Sequence, residues 1–361
     1  MSFPIIFLLL FTFIGLADKL ANNRLGLAEE LDKGLSTMGS LALSMGGIYC
    51  FSVMLGQWLA LALAQNSISL PFDISILTSS LLATDMGAYS ISSQISPDHS
   101  MVLLSGILLS SMLGSTISFA LPIALSSVEK KNVETLMHGI VYGILTIPFA
   151  LLLGGLLVRV PLGLLARNLL PIIAICALLC LCIFKAKAAT TAFFTGLGQC
   201  IRWLSCILFG AVILQAYWGD LQWIELSLIH EILLTVFKIC IIVCGSFVLS
   251  KLVLRYFMHP IIWCAKLLKI NEFSIIGLLL SLVTSISMFA VFDKMDRRGQ
   301  MMNAACSVTS AFVLGGQMAF VSAMEPGFLV GYIVVKLFAG VLSVAIVSFV
   351  CKPDDVVSSL F

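Results

Sequence analysis

Long apolar stretches separated by short polar segments run through the whole chain. Eleven of them approach or exceed the length of about 20 residues that a helix needs to cross a bilayer. They cover residues 2–17, 36–64, 74–96, 101–127, 135–158, 168–184, 203–219, 228–250, 271–292, 302–324 and 327–350. None shows the alternation of polar and apolar positions that is typical of membrane β-strands. Because a helix pairs its own backbone polar groups, the pattern predicts an all-α polytopic membrane protein.

The distribution of Lys and Arg indicates how many of these stretches cross. If all eleven crossed, positively charged loops would lie on both sides of the membrane. If 74–96 and 271–292 instead enter and return, sixteen of the 20 Lys and Arg residues lie on one side. Positive charge concentrates in cytoplasmic loops. We therefore expect about 9–11 transmembrane helices, and the charges favour nine crossings with two broken or re-entrant segments.

A faint internal repeat agrees with that topology. At an offset of 201 residues, 113–119 (Leu-Gly-Ser-Thr-Ile-Ser-Phe) aligns with 314–320 (Leu-Gly-Gly-Gln-Met-Ala-Phe). The alignment predicts halves 1–165 and 200–361, joined by a linker helix within 166–199. An odd number of linker crossings would invert the second half, as in many transporters with broken helices. Chance similarity between apolar segments is the alternative.

The composition predicts that most of the protein's surface contacts the lipid bilayer. The chain is 60% hydrophobic and 11% charged, whereas soluble domains carry about 25% charged residues. The net charge is +2 and no basic run predicts nucleic-acid binding. We expect residues 1–361 to form one transmembrane domain, and a homo-oligomer is left open. No metal-ligating, nucleotide-binding or hydrolase motif occurs, so we expect no catalytic residue, metal or cofactor.

Asp85 is the most informative polar residue within an apolar stretch. A carboxylate at the bilayer centre costs about 2.5–3.5 kcal/mol even on mild insertion scales, so such residues usually serve function. Gly87 permits an unwound backbone, and Tyr89 can offer a ring face or a hydroxyl to a cation. Together with Thr84, these residues form a candidate binding site for a small cation. Helix capping by Asp85, or its pairing with a distant Lys, is the alternative.

A second group of polar residues lies at the matching place in the other half. Thr284 and Ser285 align with the Asp85 region, while Thr116 and Gln317 lie on the helices that follow the two broken segments. Gln317 can donate to or accept from a ligand. The hydroxyl groups can equally bond back to their own helices, as is common in membranes.

A charged run at 293–298 leaves a different reading open. Its Asp293 and Asp296 have the spacing with which some lipid-acting enzymes bind magnesium diphosphate, because hard cations prefer carboxylate oxygens. Such enzymes use two motifs of this kind, and the chain has one. A solvated anchor at the membrane surface is therefore the favoured interpretation of this run.

Several motifs, in order along nearly the whole chain, resemble the ethanolamine-utilisation transporter (EutH) family of bacteria. They are 38–45 (Met-Gly-Ser-Leu-Ala-Leu-Ser-Met), 81–87 (Leu-Leu-Ala-Thr-Asp-Met-Gly), 143–148 (Gly-Ile-Leu-Thr-Ile-Pro) and 294–299 (Lys-Met-Asp-Arg-Arg-Gly) with Asn303. The resemblance implies a multi-pass protein of the bacterial cytoplasmic membrane that imports ethanolamine. Asp85 would then bind the ammonium group, and Thr284, Ser285 and Gln317 are candidates for the hydroxyl group.

The chain also departs from that family's pattern. Thr284-Ser285-Ile286-Ser287 stands where the family usually has Asn-Asn-Ile-Pro, and Gly315-Gly316-Gln317 stands where it has Gly-Asp-His. Thr84 replaces a Cys, and Ala88 replaces a Gly. Either the substrate has shifted to another small amine or amino alcohol, or a proton-linked step has been lost.

The function expected from these observations is import of ethanolamine or a similar small amine, facilitated or ion-coupled, by alternating access. Two other classes stay open: a membrane-embedded enzyme acting on a lipid headgroup, and a non-transporting receptor that binds an amine.

Overall fold

The described part of the chain is helical throughout. The computed structural model describes residues 3–66, 71–218 and 223–352, and no strand occurs among them. Its helices are α1 (Phe3–Leu20), α2 (Ala28–Asn66), α3 (Ser75–Leu81), α4 (Ala88–Ile95), α5 (His99–Ser127), α6 (Val133–Leu157), α7 (Leu162–Lys185), α8 (Lys187–Tyr217), α9 (Leu226–Tyr256), α10 (Met258–Leu268), α11 (Glu272–Val283), α12 (Ser285–Phe289), α13 (Arg297–Thr309), α14 (Gly316–Met324) and α15 (Leu329–Val350). The predicted all-α polytopic fold is confirmed.

Nine crossings can be traced through the described residues. Eight helices are long and apolar enough to span a membrane. A ninth crossing runs through α13 and α14, interrupted at 310–315. Near its first end, Arg298 Nε donates to the Leu268 carbonyl at 3.0 Å. At its other end, Glu325 lies 3.5 Å from His99, across the bundle from the Leu268 end.

The two stretches that the charge pattern singled out are both re-entrant hairpins. In the first, Ser79 and Ser92 face one another with their hydroxyl oxygens 3.0 Å apart. Its two ends meet where Ser96 Oγ donates to Asp73 Oδ2 at 2.5 Å. In the second hairpin, Asn271 Nδ2 donates to the Lys294 carbonyl at 2.9 Å. Each hairpin therefore enters and leaves on the same side.

Local chain chemistry explains where each hairpin breaks. Between α3 and α4 the backbone forms a single 3₁₀ turn, and Gly87 then adopts φ +102°. A Cβ at Gly87 would also lie 1.9 Å from Ser52 Oγ, so glycine is required there both for its conformation and for its size. In the second hairpin, Thr284 is extended, and its hydroxyl accepts from the Ile286 amide at 3.3 Å. That bond caps the short helix α12.

Two glycines allow close contact at the breaks of the hairpins, one from α5 and one from the interruption before α14. A Cβ on Gly114 would lie 2.0 Å from the Leu82 carbonyl oxygen, and one on Gly315 would lie 1.9 Å from the Val283 carbonyl oxygen. Both pairs are separated by the same offset of 201 residues. In addition, α1 packs mainly on α9, and α8 packs mainly on α2. At the offset of 201 residues, α1 corresponds to α8 and α2 corresponds to α9, so the first helix of each half packs on the second helix of the other half. An inverted repeat would produce this arrangement. The division into two halves stays a prediction.

Several helices extend beyond the apolar stretches that predict them. The apolar stretch 203–219 predicts a helix, but α8 already begins at Lys187. In the same way, α2 begins at Ala28, before the apolar stretch 36–64. Apolar length marks only the part of a helix that lies in hydrocarbon, while Ala, Thr and Gln continue the helix into water. The predicted linker region 166–199 accordingly contains most of α7 and the start of α8.

Candidate functional site

A cavity of about 270 Å³ lies between the breaks of the two hairpins. It is bordered by 83–86 of the first hairpin, 283–286 of the second, and parts of α2, α5, α9 and the interrupted crossing. Of the described residues that line it, Asp85 is the one that carries a charge. Its polar lining consists of Thr37, Ser40, Ser44, Asp85, Ser115, Thr284 and Gln317. Typical drug-sized sites occupy about 300–1,000 Å³, so this cavity suits a small molecule.

The cavity opens toward the side that carries most of the Lys and Arg residues. On α2, Ser40 is exposed, whereas every residue from 45 to 50 is buried. Ile286, on the second hairpin, is 49% exposed. The start of α2 lies on the positively charged side, where Glu30 contacts Lys251 at 3.6 Å. The cavity is therefore open toward the positively charged side, and the buried residues of α2 from Met45 to Cys50 close it on the other side.

Aromatic and acidic side chains close the opposite side. Tyr89 Oη donates to Glu325 Oε1 at 2.8 Å, and its ring packs edge-on against Phe320 with centroids 5.8 Å apart. Tyr49 Oη donates to Glu231 Oε1 at 3.0 Å. These contacts join the first hairpin to α14 and join α2 to α9. They separate the cavity from the side on which the first hairpin enters.

Behind the cavity wall lies a buried lysine. Lys336, in α15, donates from Nζ to Gln317 Oε1 at 2.8 Å, and it also interacts electrostatically with Asp85 at a distance beyond a direct ion pair. Gln317 Oε1 also accepts from Tyr332 Oη at 3.4 Å. The side-chain amide of Gln317, which borders the cavity, is thus positioned by Lys336 and Tyr332 of α15.

Three of the residues singled out in the sequence lie together in the cavity wall. They are Asp85, Thr284 and Gln317. They come from the first hairpin, the second hairpin and α14, respectively. Elements far apart in the chain thus supply one carboxylate, one hydroxyl and one amide to one small space.

The other candidate residues lie outside the cavity lining. Thr84 donates to the Gly106 carbonyl at 2.9 Å, and Thr116 donates back to the Met112 carbonyl at 2.7 Å. Both hydroxyls therefore stabilise packing or their own helix. Gly87 shapes the hairpin, and Tyr89 lies on the closed side. Ser285 is fully buried, and its hydroxyl has no hydrogen-bond partner.

Lys336 is the principal residue that the sequence reasoning missed. The rule that drew attention to Asp85, a charge inside an apolar helix, applies equally to it. Its neighbours in the chain gave no sign that its ammonium would meet Gln317. The serines of α2 and Ser115 were missed for another reason, since single hydroxyls in an apolar helix are too common to mark a site.

Both carboxylates of the charged run are already hydrogen-bonded. Asp296 accepts from the Asn271 amide at 2.9 Å and caps α13. Asp293 accepts from Asn132 Nδ2 at 2.6 Å. Within the described ranges, no cluster of three or more His, Cys, Asp or Glu side chains has the geometry to hold a metal ion. The run therefore joins surface loops in this structure.

Fold and site together define a multi-pass helical membrane protein that holds a small, singly charged cavity between two re-entrant hairpins. The sequence model of the family described as "Ethanolamine utilisation protein, EutH" matches residues 2–350. The chain belongs to this family. No solved structure matches it.

Several relatives are similar to this chain over nearly its full length. A protein of Listeria monocytogenes named probable ethanolamine permease EutH is 31% identical, over 94% of this chain and 91% of the relative. A protein of Salmonella typhimurium with the same name is 26% identical, over 91% and 87%. The uncharacterised protein YxeR of Bacillus subtilis is 30% identical, over 93% and 90%.

Proposed function

We propose that the protein is a transporter of the bacterial cytoplasmic membrane that imports ethanolamine or a closely similar amino alcohol. The observation that carries the proposal is the small cavity at the hairpin breaks with a single carboxylate, Asp85, in its wall. Relatives named probable ethanolamine permease support the same substrate class.

Each end of ethanolamine has a suitable partner in the cavity. The ammonium group would donate to Asp85, and hydrogen bonds between charged partners are worth about 1.5–3 kcal/mol. The hydroxyl group would reach Ser115, Thr284 or Gln317, which line the same space. Aromatic side chains, among them Phe119 and Phe312, form part of the remaining wall.

The placement of the two hairpins supports transport by alternating access. The cavity in this structure opens on the positively charged side, which corresponds to the cytoplasm. To load substrate from outside, the contacts of Tyr89 with Glu325 and of Tyr49 with Glu231 would have to separate. Closure of the cytoplasmic side would bring the second hairpin toward α2. Inverted hairpins that move against one another in this way are a known transporter design.

Two of the departures from the family pattern lie at the cavity. Gly316 and Gln317, which stand in place of an acid and an imidazole, both line it. Loss of those groups removes a charge and a proton carrier from the site. The cavity therefore suits a primary ammonium ion with a short polar tail, of which ethanolamine is the first candidate.

Uptake into proteoliposomes tests this proposal. Purified protein should take up labelled ethanolamine in a saturable manner, above the rate of protein-free liposomes, and propanolamine should compete better than choline or ammonium. Ammonium lacks the hydroxyl group, and choline lacks the N–H donors that would bond to Asp85. Folded protein that transports none of these amines would refute the proposal, and saturable binding without flux would indicate a receptor.

A further inference from the structure

Lys336 is an ammonium group enclosed in the centre of the bundle, directly behind the cavity. Its exposed fraction is 0%. Nζ donates to the Ser111 carbonyl at 3.0 Å, the Ala311 carbonyl at 2.6 Å and Gln317 Oε1 at 2.8 Å. An ammonium has three N–H donors, so these three oxygens satisfy it completely. The surroundings of Nζ are built to hold one positive charge.

Irregular backbone supplies two of those three oxygens. Ser111 lies in a stretch of π-helical geometry, Val102–Gly114, and Ala311 lies in the interruption between α13 and α14. A backbone carbonyl oxygen has two lone pairs, so each can accept from Lys336 in addition to any bond with its own segment. Lys336 therefore joins α15 to α5 and to the interruption between α13 and α14, next to the substrate cavity.

Gln317 connects the buried Lys336 to the cavity that Asp85 lines, so a second cation in the cavity would lie close to an existing one. Lys336 and Asp85 interact electrostatically, and Gln317 both accepts from Lys336 and borders the cavity. A substrate ammonium at Asp85 would share one buried region with the Lys336 ammonium, and Asp85 is the one carboxylate among the described residues that line the cavity. An uncompensated charge in a buried site is costly because few solvent dipoles screen it.

We propose that this site holds one cation at a time, either protonated Lys336 or the ammonium group of the substrate, so that each substrate ion is exchanged for one proton. The inference rests on the proposed transport function and adds that substrate import is coupled to proton export. Lys336 would be a positioning and proton-carrying residue. It would not be a direct ligand of the substrate.

The exchange balances in charge and in atoms. When substrate arrives from outside as an ammonium ion, the Lys336 ammonium releases its proton to water on that side. The neutral Lys336 amine and the bound ion then cross to the inward-open state. Release of substrate inside allows Nζ to take a proton from internal water, and the protein returns with that charge. One ammonium ion enters and one proton leaves, so the cycle is electroneutral.

Few other groups near Lys336 could take over its titration. From its own helix, the Tyr332 ring lies 5.4 Å from Nζ. From the first hairpin, Asp85 is the charged partner. From α13, Cys306 lies near Gly340, one turn along α15. The parts of α5, α6 and α14 packed at this level contribute uncharged side chains, Gln317 among them.

Proteoliposomes with an imposed potential and an internal pH dye test the inference. A potassium gradient with valinomycin sets the potential, and labelled ethanolamine reports flux. In the wild-type protein we expect uptake that does not change with potential, together with alkalinisation of the lumen beyond that of protein-free liposomes. Lys336→Met removes the exchangeable proton and should convert transport to electrogenic uniport. Accumulation would then rise about tenfold for each 59 mV of inside-negative potential.

A matched control is available in the same chain. Lys238 is also a lysine inside a spanning helix, α9, but its side chain is exposed and is not part of the cavity lining. Lys238→Met should leave transport electroneutral. If Lys336→Met does not fold, wild-type uptake that follows the imposed potential would still overturn the inference.

The outcomes separate this inference from the function on which it rests. Wild-type uptake that follows the imposed potential and leaves internal pH unchanged would overturn proton exchange while leaving ethanolamine transport intact. Lys336→Met transport that stays electroneutral would also overturn it. Absence of uptake by folded wild-type protein would refute the transport function itself, and the exchange with it.

Discussion

Gly114 seats α5 against the break of the first hairpin, and replacing it with alanine tests that contact directly. The new Cβ would lie 2.0 Å from the Leu82 oxygen, 2.7 Å from the Leu82 carbonyl carbon and 2.5 Å from the Ser79 oxygen. All three are backbone atoms, so no rotamer change can relieve the overlap. Since carbon atoms prefer separations of about 3.5–4.0 Å, helix and hairpin must move apart by roughly 1 Å or more.

The expected cost follows from that displacement. Overpacking typically costs about 1–3 kcal/mol, while replacing glycine by alanine in a helix returns up to about 1 kcal/mol. Leu82 precedes Asp85 by three residues, so the movement also displaces the carboxylate. Misplacing a functional group by about 1 Å can cost up to about 100-fold in enzymes, and we expect a marked loss of uptake here.

Thermal unfolding in detergent and ethanolamine uptake are the two assays. Gly39→Ala is the matched control, because a Cβ at this α2 position would meet no atom within 4 Å. It should keep wild-type uptake with equal or slightly higher stability. A Gly114→Ala protein as stable and as active as the control would mean that the hairpin does not lie against α5 at this point.

Two further substitutions probe the closed side and the charged run. Tyr89→Phe removes the hydrogen bond to Glu325, which is worth about 1.5–3 kcal/mol because the acceptor is charged. The backbone amides of 316–325 should therefore exchange hydrogen faster. Unchanged exchange would show that this bond does not hold the outer side closed. Asp296→Ala removes the cap of α13 and the acceptor for the Asn271 amide, so the free energy of unfolding should fall by about 1–3 kcal/mol. Its uptake should not depend on added magnesium, and a magnesium-dependent lipid reaction lost in this variant would favour the enzyme alternative.

Hydropathy and charge were enough to predict the helical fold and the two re-entrant stretches. The prediction succeeded for 74–96 and 271–292 because most Lys and Arg residues fall on one side if both stretches turn back. Helix ends were less accurate, since α8 begins at Lys187, well before its apolar part. The irregular backbone at 310–315 was also not predicted, because its hydrogen bonds go to another segment: the Leu314 amide donates to the Leu282 carbonyl at 2.8 Å.

The candidate site was predictable only where a residue was unusual for its surroundings. Asp85 stood out because a carboxylate is rare in an apolar stretch, and Gln317 because it is the polar residue in an aligned repeat. Tyr89 was placed on the wall by its spacing from Asp85, yet the left-handed turn at Gly87 directs α4 away from the cavity toward Glu325. Such a change of direction depends on tertiary packing and leaves no periodic signal in the sequence.

The claim on which the account depends is that Asp85 holds the substrate's ammonium group. Equilibrium binding of labelled ethanolamine to purified protein tests it most directly, comparing wild type with Asp85→Asn and with Glu129→Gln, which removes a carboxylate at the exposed surface. We predict a dissociation constant about 10- to 150-fold higher for Asp85→Asn, and wild-type affinity for Glu129→Gln. Equal affinity of folded Asp85→Asn and wild-type protein would contradict the account.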